Sequence, residues 1–280
     1  MHFMSLFFFS IIWSGLILLS PGLITVAKGA DNEVYFYNPE SNVNNFTALK
    51  REFDRYLQSL GNYRFVPFNH IQFFEKHLQI DQTAKMHKNA VYLLSSWYYK
   101  NLILHYPLHA ALIGTIKGKV TQKKILSAQQ TISSLQLLQG TNITSAGNQD
   151  YTKNILIELM GEDKRKIVST LQILSVPNDI DALIAVGFGL SHAALTTEYS
   201  RSIWASINPQ LSQTLNTLAI SKDLLLPVVA IPEKPTSGTL ELLKVIERME
   251  QEKKGLMLLQ MLGLDGWKVI GKNEQLMLKQ

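Results

Sequence analysis

The sequence predicts an α/β fold, and three observations carry that prediction. Residues 176–209, VPNDIDALIAVGFGLSHAALTTEYSRSIWASINP, alternate helix, strand and helix within little more than one supersecondary unit. Near the start, the β-branched and aromatic run Val34, Tyr35, Phe36, Tyr37 stops at Asn38-Pro39 and is followed by a helical recurrence of Phe46, Leu49, Phe53, Leu57 and Leu60. Finally, 280 residues with 46% hydrophobic content suffice for a sizeable core in one large or two modest domains.

In the first of these stretches, Asn178 or Asp179 caps a helix carrying Ile180, Leu183 and Ile184, with acids in the first turn where the helix dipole favours them. Gly187 and Gly189 end it. Residues 191–195 read as a buried strand, and Thr196, Thr197 and Glu198 open a further helix that Asn208-Pro209 breaks.

From the N-terminus, Phe3 to Leu19 is almost continuously apolar, Pro21-Gly22 breaks the run, and small residues lead to Ala27 or Ala30. Residues 1–27 read as a signal peptide cleaved after Ala27, where Thr25 completes a small-x-small site; a retained membrane anchor is the alternative. His2 is the only side chain before the apolar run that can carry positive charge.

After the first strand and its helix, closed by Gly61, residues 64–68 form a second strand. Asn69 and Gln72 then cap a helix with Ile71, Phe74 and Leu78, and residues 81–88 are a polar loop. Residues 90–94 are a buried strand that delivers Ser95, Ser96, Trp97, Tyr98 and Tyr99 to its C-terminal end. Residues 108–116 are a strand leading to a Lys-rich turn at Gly118 and the first crossing between two lobes. Residues 125–138 are weakly helical, and 142–144 form a short strand. Ser145, Ala146, Gly147 and Asn148 precede a helix with Ile155, Leu156 and Leu159. Residues 171–176 are a strand, and 218–231 form the return crossing. Terminal helices at 237–252 and 256–262 complete the chain.

FGLSHAALTTEYSRSIWASINPQL and LAISKDLLLPVVAIPE resemble the second half of periplasmic phosphate/phosphite/phosphonate-binding proteins; VYFYNPESNVNNFTALKREFDRYL and VYLLSSWYYKNL resemble the first half. The resemblance covers nearly all of the chain after the leader. It implies a two-lobed, type II periplasmic-binding-protein-like fold, each lobe a sheet flanked by helices, with residues 28–116 and 218–280 as lobe 1 and 117–217 as lobe 2. It further implies an exported monomer that captures a small anionic solute for an ABC transporter permease, with no cofactor and no chemistry. A periplasmic module reporting to a membrane sensor protein is the alternative role.

The candidate ligand-binding residues are Asn38, Glu40 and Ser41 in one lobe and Ser145, Ala146, Gly147 and Asn148 in the other. Both are strand-to-helix junctions whose backbone N–H groups suit an oxyanion, although Ser, Asn and Gly are also ordinary caps and turns. Ser95, Ser96, Trp97 and Tyr98 sit at a third strand end, as ligand contacts or as packing. Related sequences usually carry an acid where this chain has His192, so an aminoalkylphosphonate is disfavoured; His192 is either an anion donor or a packed histidine.

A formal net charge of +5 with no Lys/Arg block interleaved with aromatics excludes a nucleic-acid groove, and Lys117, Lys119, Lys123 and Lys124 read as a solvated face or as anion steering. Zero cysteines exclude disulfides, thiol nucleophiles and a lipidated Cys. Gly187-x-Gly189 lacks a third glycine and follows a helix, so it is no dinucleotide fingerprint. Pro107 between His105 and His109 argues against a metal pair, and Asp179 and Asp181 fall on different helix sides.

Overall fold

In a computed structural model that describes residues 32–40, 46–80 and 89–279, β1 (Asn32–Tyr37) is followed by α1 (Phe46–Gln58), β2 (Tyr63–Phe68), α2 (Ile71–Ile80), β3 (Ala90–Leu94) and α3 (Ser96–Leu102). The expected signal peptide at 1–27, Ser41 and the loop 81–88 lie outside the described residues. β1 runs parallel to both β2 and β3, and parallel neighbours require crossovers, which α1 and α2 supply. α1 buries Leu49, Phe53, Tyr56 and Leu57, one face of a 3.6-residue period, and Phe53 stacks on Phe65 at 4.2 Å. The N-terminal contact of α2 is made by His70, not by the expected Asn69: Phe74 N–H donates to the His70 carbonyl and Gln72 N–H to its ring Nδ1.

β4 (Leu108–Thr115) lies in the same sheet. The chain then turns at Lys117 (φ 52°) and Gly118 (φ 73°), left-handed backbone that glycine adopts without cost and lysine rarely does. A two-residue β5 (Thr121–Gln122) leads into β6 (Lys124–Gln129). β6 corrects the helical expectation for 125–138. It lies between two partner strands of a second sheet, with Leu126, Ser127 and Ala128 fully buried, so covered faces replace the alternation that would have marked a strand. Only Leu135–Leu138 is helical, as a 3-10 turn.

The second sheet continues through β7 (Asn142–Ser145), α4 (Gln149–Met160), α5 (Arg165–Thr170), β8 (Gln172–Ser175), α6 (Asp179–Gly187), β9 (Ala193–Thr197), α7 (Glu198–Ile207), α8 (Pro209–Gln213) and β10 (Leu215–Ile220). Asn178 caps α6 and Thr197 caps α7, while Asn208-Pro209 both ends α7 and opens α8. β10 pairs with β6 as far as Ile220, three residues beyond the lobe limit expected at 217.

β11 (Leu224–Leu225) then pairs antiparallel with β5, and β12 (Val228–Pro232) rejoins the first sheet. α9 (Ser237–Glu247), α10 (Lys253–Met261), β13 (Gly266–Val269) and α11 (Lys272–Lys279) finish the chain; the last two have no counterpart in the sequence reading. Strand orders are β13-β4-β12-β3-β1-β2 and β10-β6-β9-β7-β8, with β11-β5 as a separate ribbon between the sheets. The molecule is therefore α/β and two-lobed, each sheet flanked by helices, with two adjacent crossings.

Candidate functional site

Parallel strands present their C-terminal ends at one edge of a sheet, where α/β proteins place ligands. β1 and β3 bring Asn38, Pro39, Glu40 and the start of α3 to that edge in the first lobe. β7, β8 and β9 bring Ser145 and the starts of α4, α6 and α7 to it in the second. The two edges meet. The Asn148 N–H donates to the Pro39 carbonyl at 2.9 Å, and the Asn148 amide reaches the Tyr37 hydroxyl at 3.5 Å. The Trp97 and Tyr151 rings cross edge to face at 5.4 Å.

At the centre of this junction lies Glu40. Its carboxylate is 3.8 Å from Lys124 Nζ, with the two side chains 10% and 6% exposed. Gln122 Nε2 donates to it at 3.4 Å, and the Tyr151 hydroxyl is hydrogen-bonded to it. Burial pushes the Glu40 carboxyl above its ordinary range; Lys124 and the Tyr151 hydrogen bond pull it down, and the Asp179 charge adds to the rise. Tyr151 is raised well above the usual phenol, first by burial and then by Glu40. Tyr37 is pushed up to about 12, chiefly by burial. Lys124 is thus a buried ion-pair partner and not part of a solvated face, one of the two readings of the lysine group; Lys117 and Lys119 are exposed.

The remaining predicted residues are largely committed to protein partners. Asn38 Oδ1 accepts from Glu40 N–H at 3.0 Å, closing an Asx turn. Ser145 Oγ accepts from Gly147 N–H and Thr152 Oγ1, each at 3.1 Å, Ala146 is buried, and Asn148 Oδ1 caps α4 through Tyr151 N–H. A Cβ on Gly147 would lie 2.6 Å from the Tyr151 ring, so glycine permits that close approach. Ser95 caps α3 through Tyr98 N–H, and Ser96 Oγ donates to the Leu225 carbonyl at 2.5 Å, tying α3 to the crossing ribbon. The Tyr98 hydroxyl donates to Glu75 at 3.3 Å, and its ring packs edge-on to Tyr37.

His192 is not brought to this site. It is exposed at the opposite end of β9 and bonded to Asn142. β9 pairs Leu195 with Ser145, so His192 sits three residues back, roughly 10 Å at the usual strand rise.

A cavity of about 610 Å³ opens beside Glu40 and Tyr151, walled by α3, α4, β11 and α11. Lys100 and Lys222 stand on its wall, the latter 2.9 Å from Glu158. Sequence reasoning missed Tyr37, Gln122, Lys124, Tyr151, Lys100 and Lys222. Lys124 carried the one available signal, a lysine opening the apolar run ILSA.

No protein-family model matches the chain, and no curated protein sequence matches it. Solved structures do. XAC2383 from Xanthomonas citri bound to ATP superposes with a TM-score of 0.62 at 10% identity, covering 89% of this chain and 94% of that one. A binding protein component of an ABC phosphonate transporter from Pseudomonas aeruginosa gives 0.59 at 9% identity, over 89% and 84%. PhnD1 from Prochlorococcus marinus, in complex with methylphosphonate, gives 0.57 at 12% identity, over 88% and 94%. At such identities the likeness establishes the fold: the chain has the two-lobed architecture of periplasmic solute-binding proteins.

Proposed function

We propose that this protein is a periplasmic solute-binding protein that encloses a small solute bearing an oxyanion, phosphate, phosphite or phosphonate-like, and delivers it to an ABC importer. The elements up to β4 and from β12 onward act as one body and those from β6 to β10 as the other, with β5 and β11 as the pivot. One observation carries the reading. The lobes meet through a few polar contacts and the Trp97–Tyr151 ring pair around a buried charge pair, Glu40 and Lys124, beside a cavity that both lobes wall. Such a junction can separate without exposing an extensive apolar core. The ABC phosphonate transporter named for one structural neighbour and the methylphosphonate held by another point the same way.

The test is thermal unfolding of the full chain against phosphate, phosphite, sulfate and alkylphosphonates. A ligand at a hundred times its dissociation constant adds about 2.7 kcal/mol, a rise of several degrees in the midpoint. A folded protein whose midpoint moves with none of these anions contradicts the proposal.

A further inference from the structure

We infer that the interlobe cavity takes an organic anion with an apolar body, its charged head held by Lys100 beside Lys222, and discriminates against a bare inorganic oxyanion. This rests on the solute-capture reading and narrows its ligand. The first argument is where an anion finds donors. The loop groups at Ser145 and Asn148 are engaged with Gly147, Thr152, Tyr151 and Pro39, and an anion entering between those loops meets the Glu40 carboxylate. Lys100, by contrast, is half-buried, lines the cavity, and makes no ion pair among the described residues. Burial and the charge of Lys222 hold its ammonium below the usual range, with Glu158 offsetting part of the effect. A bound anion offsets both by pairing with the ammonium.

The second argument is size. About 610 Å³ lies within the several hundred cubic ångströms that organic ligands fill, far more than a five-atom oxyanion occupies. The third is the wall: Trp97, Ile103, Leu224 and Met277 supply apolar surface to the cavity that Lys100 and Glu40 also line. With Glu40 disfavouring an anion and Lys222 already holding Glu158, the head pairs with Lys100 and the body lies against these apolar side chains.

Calorimetric titration of the full chain with phosphate and with methyl-, propyl- and hexylphosphonate tests this. Each buried methylene should tighten binding about fourfold, phosphate should bind most weakly, and Lys100→Met should weaken the organic members at least tenfold while keeping the chain-length trend. Lys100→Arg restores affinity, which separates loss of charge from loss of fold, and Met277→Gln weakens hexylphosphonate more than methylphosphonate. Affinities independent of chain length, or unchanged in Lys100→Met, overturn the inference and leave solute capture standing. Failure of every anion to bind overturns both.

Discussion

Lys124→Met probes the charge pair at the lobe junction. At 3.8 Å and an effective dielectric near 20, the attraction between Glu40 and Lys124 is about 4 kcal/mol before desolvation is subtracted. Removing the lysine leaves a buried carboxylate facing Asp179 and Tyr151 with no paired cation among the described residues. The damage has a ceiling, because Glu40 can take up a proton instead. At pH 7, protonating a carboxyl of ordinary pKa 4.3 costs about 3.7 kcal/mol. A loss of about 3 kcal/mol is therefore expected, or roughly 6–12 °C in a chain of this size.

Glu40→Gln keeps a hydrogen-bonding group at Tyr151 and should stay within about 1 kcal/mol of the native protein, and the double variant should recover most of the Lys124→Met loss. Thermal unfolding at pH 7 and pH 4.5 reads all three. Because folding raises the Glu40 pKa, the folded chain binds more protons than the unfolded one above the ordinary glutamate value. The contribution of Glu40 to stability therefore falls as pH rises through the raised value. Native stability relative to Glu40→Gln should decline from pH 4.5 toward neutrality, and the Lys124→Met loss should shrink in acid. Lys124→Met unfolding within 1 °C or so of the native midpoint, or strictly additive losses in the double variant, would refute the reasoning.

Other expectations follow from single contacts. Gly255→Ala places a Cβ 2.2 Å from the Met249 carbonyl oxygen and should cost about 3 kcal/mol in chemical unfolding; a neutral result would contradict the close approach of α10 to the turn before it. Ser96→Ala removes the bond from α3 to the Leu225 carbonyl at a cost of about 1 kcal/mol, a few degrees in midpoint. His192→Ala should leave the affinity for any bound anion within about twofold, since the side chain is remote from the cleft; a tenfold loss would return His192 to the site.

Much of the architecture was legible because local patterns coincide with tertiary burial. The strand and helix at 34–58, the caps at Asn178 and Thr197, and the turn at Asn148 are each fixed within a few residues. β6 was not legible, since a central strand buried on both faces loses its period. β13 and α11 were missed because they are short and carry few apolar residues, with Leu264, Trp267, Ile270 and Leu278 the hydrophobic residues buried nearby. Glu40, Trp97 and Asn148 each lie at the junction of the lobes, because strand ends can be read from sequence. The pairing of Lys124 and Tyr151 with them could not be read, because a contact across the junction depends on how two sheets face each other and leaves no spacing in the chain.

Capture by closure of the two lobes is the core of the proposed function, and an inter-lobe distance measures it directly. The chain has no cysteine, so Gln58→Cys with Ile207→Cys, one on each lobe and both exposed in the native chain, accepts a pair of spin labels without background. The account predicts a broad distance distribution in the free protein that narrows and shifts shorter when the tightest-binding anion of the titration series is added. An anion that binds while the distribution stays unchanged would contradict capture by lobe closure.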